Sequence, residues 1–252
     1  MPIAGFDLRV VPLLWAITAL LLLGTALLLW PNIPWGRLRR FWQRAPRLMG
    51  IHVPKVYSVG DYARRPYIAM EYIEGTNLEQ AYKRWSATGK VSWRRAFRIA
   101  VDIGQALLAA RQRRLIHGNI TLRNILVRDA DQTALLNDLI FLKAIKNSGI
   151  YQQAFDQKHA AEVCFASPEQ LDTEKSFIDH LCDLYSLGTV VYYTLTGHSP
   201  FQGTSPEETI HLIRHSHPTP PRKFNKTIPH EFEQIVLRLL AKLQEERYQS
   251  PE

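Results

Sequence analysis

His117-Gly118-Asn119-Ile120-Thr121-Leu122-Arg123-Asn124-Ile125-Leu126 is the stretch on which the reading of this chain turns. It sets a histidine and two asparagines among glycine, threonine and aliphatic residues, and it carries no carboxylate. An amide oxygen is a far weaker base than a carboxylate, so Asn119 can orient a group by hydrogen bonding but cannot take its proton. Working backwards, Ser92 predicts a helix N-cap, and Trp93, Phe97, Ala100, Val101, Gly104, Leu107 and Leu108 recur at helical spacing up to the loop. Thr76-Asn77-Leu78-Glu79 reads as a capping box opening a short helix to about Trp85. Residues 55–59 and 67–72 read as strands around a polar turn over 60–65. Working forwards, residues 184–195 form an apolar helix ended by Gly197. Phe232, Ile235, Val236, Leu239, Leu240 and Leu243 share one face of a final helix. Internal repeats and low-complexity tracts are absent from the sequence.

The 252 residues suffice for one membrane anchor and one globular unit with a substantial core. Residues 10–30 contain no charge and are dominated by leucine; at about 1.5 Å per residue such a helix crosses the ~30 Å of bilayer hydrocarbon. A secretory signal is disfavoured by the length of this run, the sparse positive charge before it and the lack of a small-residue cleavage pattern after it. Arg37, Arg39, Arg40, Arg44 and Arg47 follow the run, against Arg9 alone before it, which predicts a cytoplasmic remainder. The expected organisation is a short extracytoplasmic stretch over 1–9, a transmembrane helix over 10–30, a basic linker over 31–50 broken by Pro34 and Pro46, and a globular domain over 51–252.

The net charge of +8 suits acidic partners. Nucleic acid is excluded: Arg94, Arg95, Arg98, Arg111, Arg113 and Arg114 lack aromatic platforms or a recognised module beside them and read as solvated helix faces. Cys164 and Cys182 read as small apolar fillers in a reducing compartment. His211, His215 and His217 lack a supporting carboxylate or cysteine and read as an exposed helix rather than a metal site, with residues 217–222 as a proline-rich connecting loop.

Residues 117–126 resemble the catalytic loop of protein kinases, usually His-Arg-Asp-Leu-Lys-Pro-x-Asn-Ile-Leu. Met70-Glu71-Tyr72-Ile73-Glu74-Gly75 resembles the hinge of that family, Asn137-Asp138-Leu139-Ile140 its Asp-Phe-Gly segment, and Ser167-Pro168-Glu169-Gln170 the end of its activation segment. Asp183-Leu184-Tyr185-Ser186-Leu187-Gly188, Thr196-Gly197-His198-Ser199-Pro200-Phe201 and Glu246-Arg247-Tyr248 complete the pattern of bacterial membrane-anchored serine/threonine kinases over about residues 52–252. The resemblance implies an α+β kinase-like fold with a mostly helical large lobe over 76–252. It implies that the hinge at Glu71 and Ile73 receives adenine above a floor formed by Leu126, with Ile125 and Val127 as further candidates. It implies that Asn124 and Asp138 chelate Mg²⁺. Structural roles fall to His117, to Asp183 holding the catalytic loop, and to a bidentate Glu169–Arg247 latch.

The chain departs from the family at the chemical positions. Asn119 stands where the family has its proton-accepting aspartate, Thr121 where a lysine steadies the phosphate, and Gly118 where an arginine reads a phosphorylated loop. Residues 51–75 supply only a remnant of the small lobe and the hinge, with no Gly-x-Gly-x-x-Gly and no lysine between the apolar run and Lys55. Residues 41–49 offer no glutamate, and Ile140 replaces a glycine. Between Phe141 and Ala166, Ser148 and Tyr151 occur without a threonine, so activation by phosphorylation of this loop is not expected. The expectation is a membrane-tethered pseudokinase in the cell membrane with its kinase-like domain in the cytoplasm, serving as a binding or regulatory module. ATP and Mg²⁺ would bind weakly at best. The bilayer, a second copy or a separate protein would cover the incomplete lobe. The alternatives are an active atypical kinase whose small lobe a partner completes, and a degraded gene product.

Overall fold

The computed structural model describes residues 52–62, 65–89, 91–138, 160–172 and 178–251. The apolar run over 10–30, the linker over 31–50, Leu139, Ile140, Ser148 and Tyr151 lie outside the described residues. No helix among the described residues is long and apolar enough to cross a membrane.

The described chain enters on an antiparallel pair, β1 (Val56–Tyr62) and β2 (Arg65–Met70), which runs from Val56 opposite Met70 to Tyr62 opposite Arg65 with a shift of register between Val56 and Ser58. The strands run further than the sequence suggests, so only residues 63 and 64 connect them in place of the turn expected over 60–65. A second antiparallel sheet has the order β3 (Gly75–Asn77), β4 (Ile125–Arg128), β5 (Ala134–Leu136). Thr76 therefore belongs to a strand, and the cap of α1 (Leu78–Ala87) is Asn77, whose Oδ1 accepts the Gln80 amide at 2.9 Å. Ser92 caps α2 (Trp93–Gln112) by accepting the Arg94 amide at 3.3 Å.

The centre of the molecule is α4 (Leu181–Thr196), with nearly every side chain buried. It packs against α2 on one side and α6 (His230–Leu239) on another. Gly197 closes α4 in the left-handed region at φ +79°, donating to Tyr193 O at 2.7 Å, a conformation that costs glycine little. Short helical segments α3 (Ala160–Val163) and α5 (Pro206–His215) flank the last residues of the expected activation segment.

Two helix faces differ from expectation. The buried face of α2 carries Ala96, Ile99, Ile103, Ala106, Leu107 and Ala110, whereas Phe97 and Val101 are exposed. Gly104 and Leu107 of the expected stripe are buried, so the core face overlaps the expected one but is centred on Ile99, Ile103 and the three alanines. On α6, Phe232, Val236 and Leu239 are buried, but Ile235 is exposed, as is Leu243 beyond the helix end.

Candidate active site

The catalytic-like loop is fixed from below by one carboxylate. Asp183, in the first turn of α4, accepts the His117 amide at 2.8 Å and the Gly118 amide at 2.7 Å. It is 2% exposed, and burial raises its carboxyl to about 7 against the downward pull of those two N–H groups. His117 is also buried; its Nε2 lies 2.8 Å from Asn137 O and its Nδ1 3.2 Å from the Asn119 amide. The ring therefore accepts at Nδ1 and donates at Nε2, a bridging role rather than that of a general base.

Gly118 occupies φ +69°, where a side chain would be strained. Its N–H is held by Asp183 and its C=O accepts from Gln170 Nε2 at 2.8 Å. Gln170 is itself locked by the Ser167 amide and hydroxyl, which reach its Oε1 at 3.0 and 3.2 Å. The end of the activation segment and the catalytic-like loop thus meet through a backbone atom of a residue without a side chain. The sequence drew attention to Gly118 but not to Gln170.

Asn119, Asn124 and Asp138 converge. Asn124 Nδ2 donates to Asn119 O at 2.8 Å, and Asn124 O accepts the Asn137 amide at 2.9 Å, which sets Asp138 immediately beyond. Asp138 is exposed at φ +58°, in the left-handed region that aspartate tolerates. The amide nitrogen of Asn124 is engaged by the loop itself. No group of three or more histidine, cysteine, aspartate or glutamate side chains that could hold a metal occurs among the described residues. Thr121 is buried, at 3% exposure.

The hinge is continuous with both sheets. The Glu71 amide donates to Lys55 O at 2.7 Å, while its carboxylate accepts the Lys55 amide at 3.1 Å and sits 3.8 Å from Arg128. Both the backbone amide and the carboxylate of Glu71 are thus engaged within the hinge. Ile73 is 9% exposed. On β4, Ile125 and Val127 point into the core and are essentially fully buried, whereas Leu126 faces the opposite side and is half-buried. Strand alternation removes Ile125 and Val127 from the candidate floor and leaves Leu126.

Glu169 and Arg247 meet in a bidentate pair at 2.7 and 2.9 Å, with Arg247 at 0% exposure. Burial raises the Glu169 carboxyl, but the hydrogen bonds and charge of Arg247 outweigh it and hold the group below the usual range. Arg123, on the turn Leu122–Asn124, donates to Glu79 of α1 at 2.9 Å and lies 3.6 Å from Glu162 of α3. His52 joins the first sheet to the large lobe: its Nδ1 is 3.1 Å from Ala134 O and 3.7 Å from Asp102 of α2. Neither contact is visible in the sequence, because both partners lie far apart along it.

Arg94, Arg95, Arg98, Arg111, Arg113 and Arg114 are all exposed on or just after α2. The His211 and His215 rings meet on α5 in a tilted contact with centroids 4.9 Å apart. Residues 217–222 form the connection from α5 towards α6, fixed by Tyr192 Oη donating to Thr219 O at 2.7 Å.

Residues 38–250 match the protein tyrosine and serine/threonine kinase family. Serine/threonine-protein kinase PknB of Mycolicibacterium smegmatis is 31% identical over 220 residues, covering 85% of this chain and 34% of the relative. A probable serine/threonine-protein kinase of Clostridium perfringens is 29% identical over 215 residues, covering 84% and 30%. The chain thus spans about a third of the length of the curated relatives it matches. Among solved structures, a double mutant of the Mycobacterium tuberculosis PknI kinase domain superposes with a TM-score of 0.61 at 22% identity, over 84% of this chain and 74% of that one. At that identity the likeness concerns the fold alone.

Proposed function

This chain belongs to the protein tyrosine and serine/threonine kinase family, and on that premise we propose that it is a membrane-tethered pseudokinase, a kinase-like large lobe used as a binding or regulatory module in signalling. One observation carries the reading. The catalytic-like loop keeps its supporting hydrogen bonds to Asp183, His117 and Asn124, yet it presents an amide, Asn119, at the base position and buries Thr121 at the lysine position. Loss of a general base alone removes about 10²–10⁴-fold in rate. Loss of the phosphate grip removes electrostatic stabilisation as well, often the greater of the two losses. No Gly-x-Gly-x-x-Gly occurs in the sequence ahead of the hinge, and no lysine precedes Lys55. The uncharged run over 10–30, followed by five arginines within 37–47, supports a single-pass anchor with the domain on the cytoplasmic side. A protein partner at the incomplete small lobe is part of this reading.

A second reading, an active atypical kinase completed by a partner chain, is favoured by the hydrogen bond from the Asn137 amide to Asn124 O, which holds Asp138 near Asn124. Phosphoryl transfer depends chiefly on positioning and electrostatics, so slow turnover could survive the loss of the base. Thermal unfolding of the purified full chain with ATP, with and without Mg²⁺, separates the two. The pseudokinase predicts no metal-dependent shift and no phosphate release. Mg²⁺-dependent turnover abolished by Asp138→Ala would overturn it.

A further inference from the structure

Away from the candidate active site, the large lobe carries a cavity of about 480 Å³ between the loop 198–204 that follows α4 and the segment 216–219 that follows α5. Both walls are fixed by their own hydrogen bonds. Thr196 Oγ1 accepts the His198 amide at 3.1 Å, Ser199 Oγ donates to Phe201 O at 3.0 Å, and Thr209 Oγ1 accepts the Gly203 amide at 3.0 Å. On the other wall Ser216 is extended, Pro218, Pro220 and Pro221 keep the segment from turning helical, and Tyr192 holds the Thr219 carbonyl. Leu212 and the buried Phe201 supply apolar lining, while His198, Gln202 and His217 are exposed at the edge. The volume lies in the range of ligand clefts, and walls already held rigid lose little entropy when the cleft is filled.

Positive charge prevails around this cavity. Between Leu184 and His230 the only carboxylates are those of Glu207 and Glu208, in the first turn of α5. Glu208 is occupied, accepting the Thr204 amide and hydroxyl at 2.6 Å each. Arg222, Lys223 and Lys226 are exposed around Phe224, itself 40% exposed, whose ring meets that of His198 with centroids 5.4 Å apart. Lys242 Nζ adds a further positive group 3.6 Å from the Phe201 ring centroid. Arg214 turns instead to the end of the activation segment, where it donates to Leu171 O. Beyond His230, Glu231 is exposed at the start of α6, and Glu233 is buried and accepts the Arg222 amide at 2.7 Å. A flat bilayer does not fill a concave site, and a basic rim opposes its own image across a two-fold axis. A projecting acidic segment suits both the shape and the charge.

We propose that this cavity is a docking site for an acidic segment of a partner protein, which seats one apolar side chain against Phe201 and Leu212 and sets its carboxylates against His198, His217 and Lys223. The site is separate from the incomplete small lobe and independent of whether the nucleotide site functions.

The test uses the full chain in phosphatidylcholine nanodiscs, with empty nanodiscs as the blank. The probe is a fluorescein-labelled peptide in which glutamates flank a single leucine, and its lysine counterpart is the control. Fluorescence anisotropy should report saturable binding of the acidic peptide, about tenfold tighter than the control and weakened by salt. Replacing its leucine by glycine should weaken it too. Lys223→Glu and His217→Glu should each weaken binding about fivefold, the scale of one exposed ion pair, and Gln202→Lys should tighten it by a similar factor. Hydrogen exchange should slow over residues 198–204 and 212–219 when the peptide is bound. All three substituted positions are exposed, so unchanged thermal unfolding certifies that the variants fold. Equal binding of the two peptides, no response to the substitutions, or protection confined to other residues would overturn the proposal. So would protection of the same residues without peptide: if it followed protein density it would assign the cavity to a second copy, and if it followed phosphatidylserine content, to the bilayer.

Discussion

Arg247→Ala should be the most damaging single substitution in the domain. The Arg247 guanidinium makes five hydrogen bonds: to Glu169 Oε1 and Oε2 at 2.7 and 2.9 Å, to Ala241 O at 2.8 Å, and to Leu181 O and Lys242 O at 3.1 Å each. Truncation leaves the Glu169 carboxylate, 8% exposed, without its counter-charge and strips three carbonyls of a donor. Removing one member of a buried ion pair costs about 3–5 kcal/mol. In a domain of roughly 200 residues each kcal/mol moves the midpoint by about 2–4 °C, so a cost near 4 kcal/mol lowers Tm by about 8–16 °C. The loss is mostly the stranded charge. Arg247→Met combined with Glu169→Leu should therefore recover at least half of it, because apolar replacements of a buried pair are often close to neutral. The effect has a definite pH sense. The folded pKa of Glu169 lies below its unfolded value of about 4.3, so the stabilisation is complete above that pH and disappears as pH falls through the folded value. The gap between wild type and Arg247→Ala in thermal unfolding should thus narrow as pH falls below about 4.3. A single-variant cost under about 1 kcal/mol, or a double variant no more stable than Arg247→Ala, would refute the reasoning.

Asp183 titrates with the opposite sense. Its folded pKa is raised to about 7, so its contribution is largest below its unfolded value and declines as pH rises through about 7. Asp183→Asn, which offers one acceptor oxygen to two N–H groups, should cost about 1–3 kcal/mol and speed amide exchange at His117 and Gly118. The deficit against wild type, read by thermal unfolding, should shrink from pH 5 to 8. Gly118→Arg restores the family's residue at a backbone with φ +69° and should lower stability by about 1–2 kcal/mol, measured by denaturant unfolding. Asn119→Asp returns a carboxylate to the base position but not the phosphate grip; a radiolabelled ATP assay should detect no phosphotransfer.

What was legible in the sequence was what lies close together along it. The loop over 117–126 gave the family because its residues hold one another: Asn124 reaches Asn119 across five positions, and His117 reaches Asn119 across two. Gly197 and Ser92 could be placed as helix stops and starts because capping is a local event. The core face of α2 could not be placed, because Ala96, Ala106 and Ala110 look neutral in hydropathy while Phe97 and Val101 look like a core. Only the close packing of α4 reveals which is which. Strand β3 escaped because three residues carry no periodicity of their own and are extended only by pairing with β4. The hydrogen bond from Gln170 to Gly118 spans 52 positions, and no pattern in the sequence connects them.

The Glu169–Arg247 latch has a consequence for how the chain is made. Its two members are 78 positions apart, and the arginine is synthesised second. While a ribosome is still extending the polypeptide, the helices on either side of Glu169 can assemble around a carboxylate whose counter-charge does not yet exist. Burying it is unfavourable until Arg247 emerges, so the nascent domain should stay open around the activation segment and close only once that residue has left the exit tunnel. Translation arrested before Arg247 should accordingly release chains that cellular proteases clear.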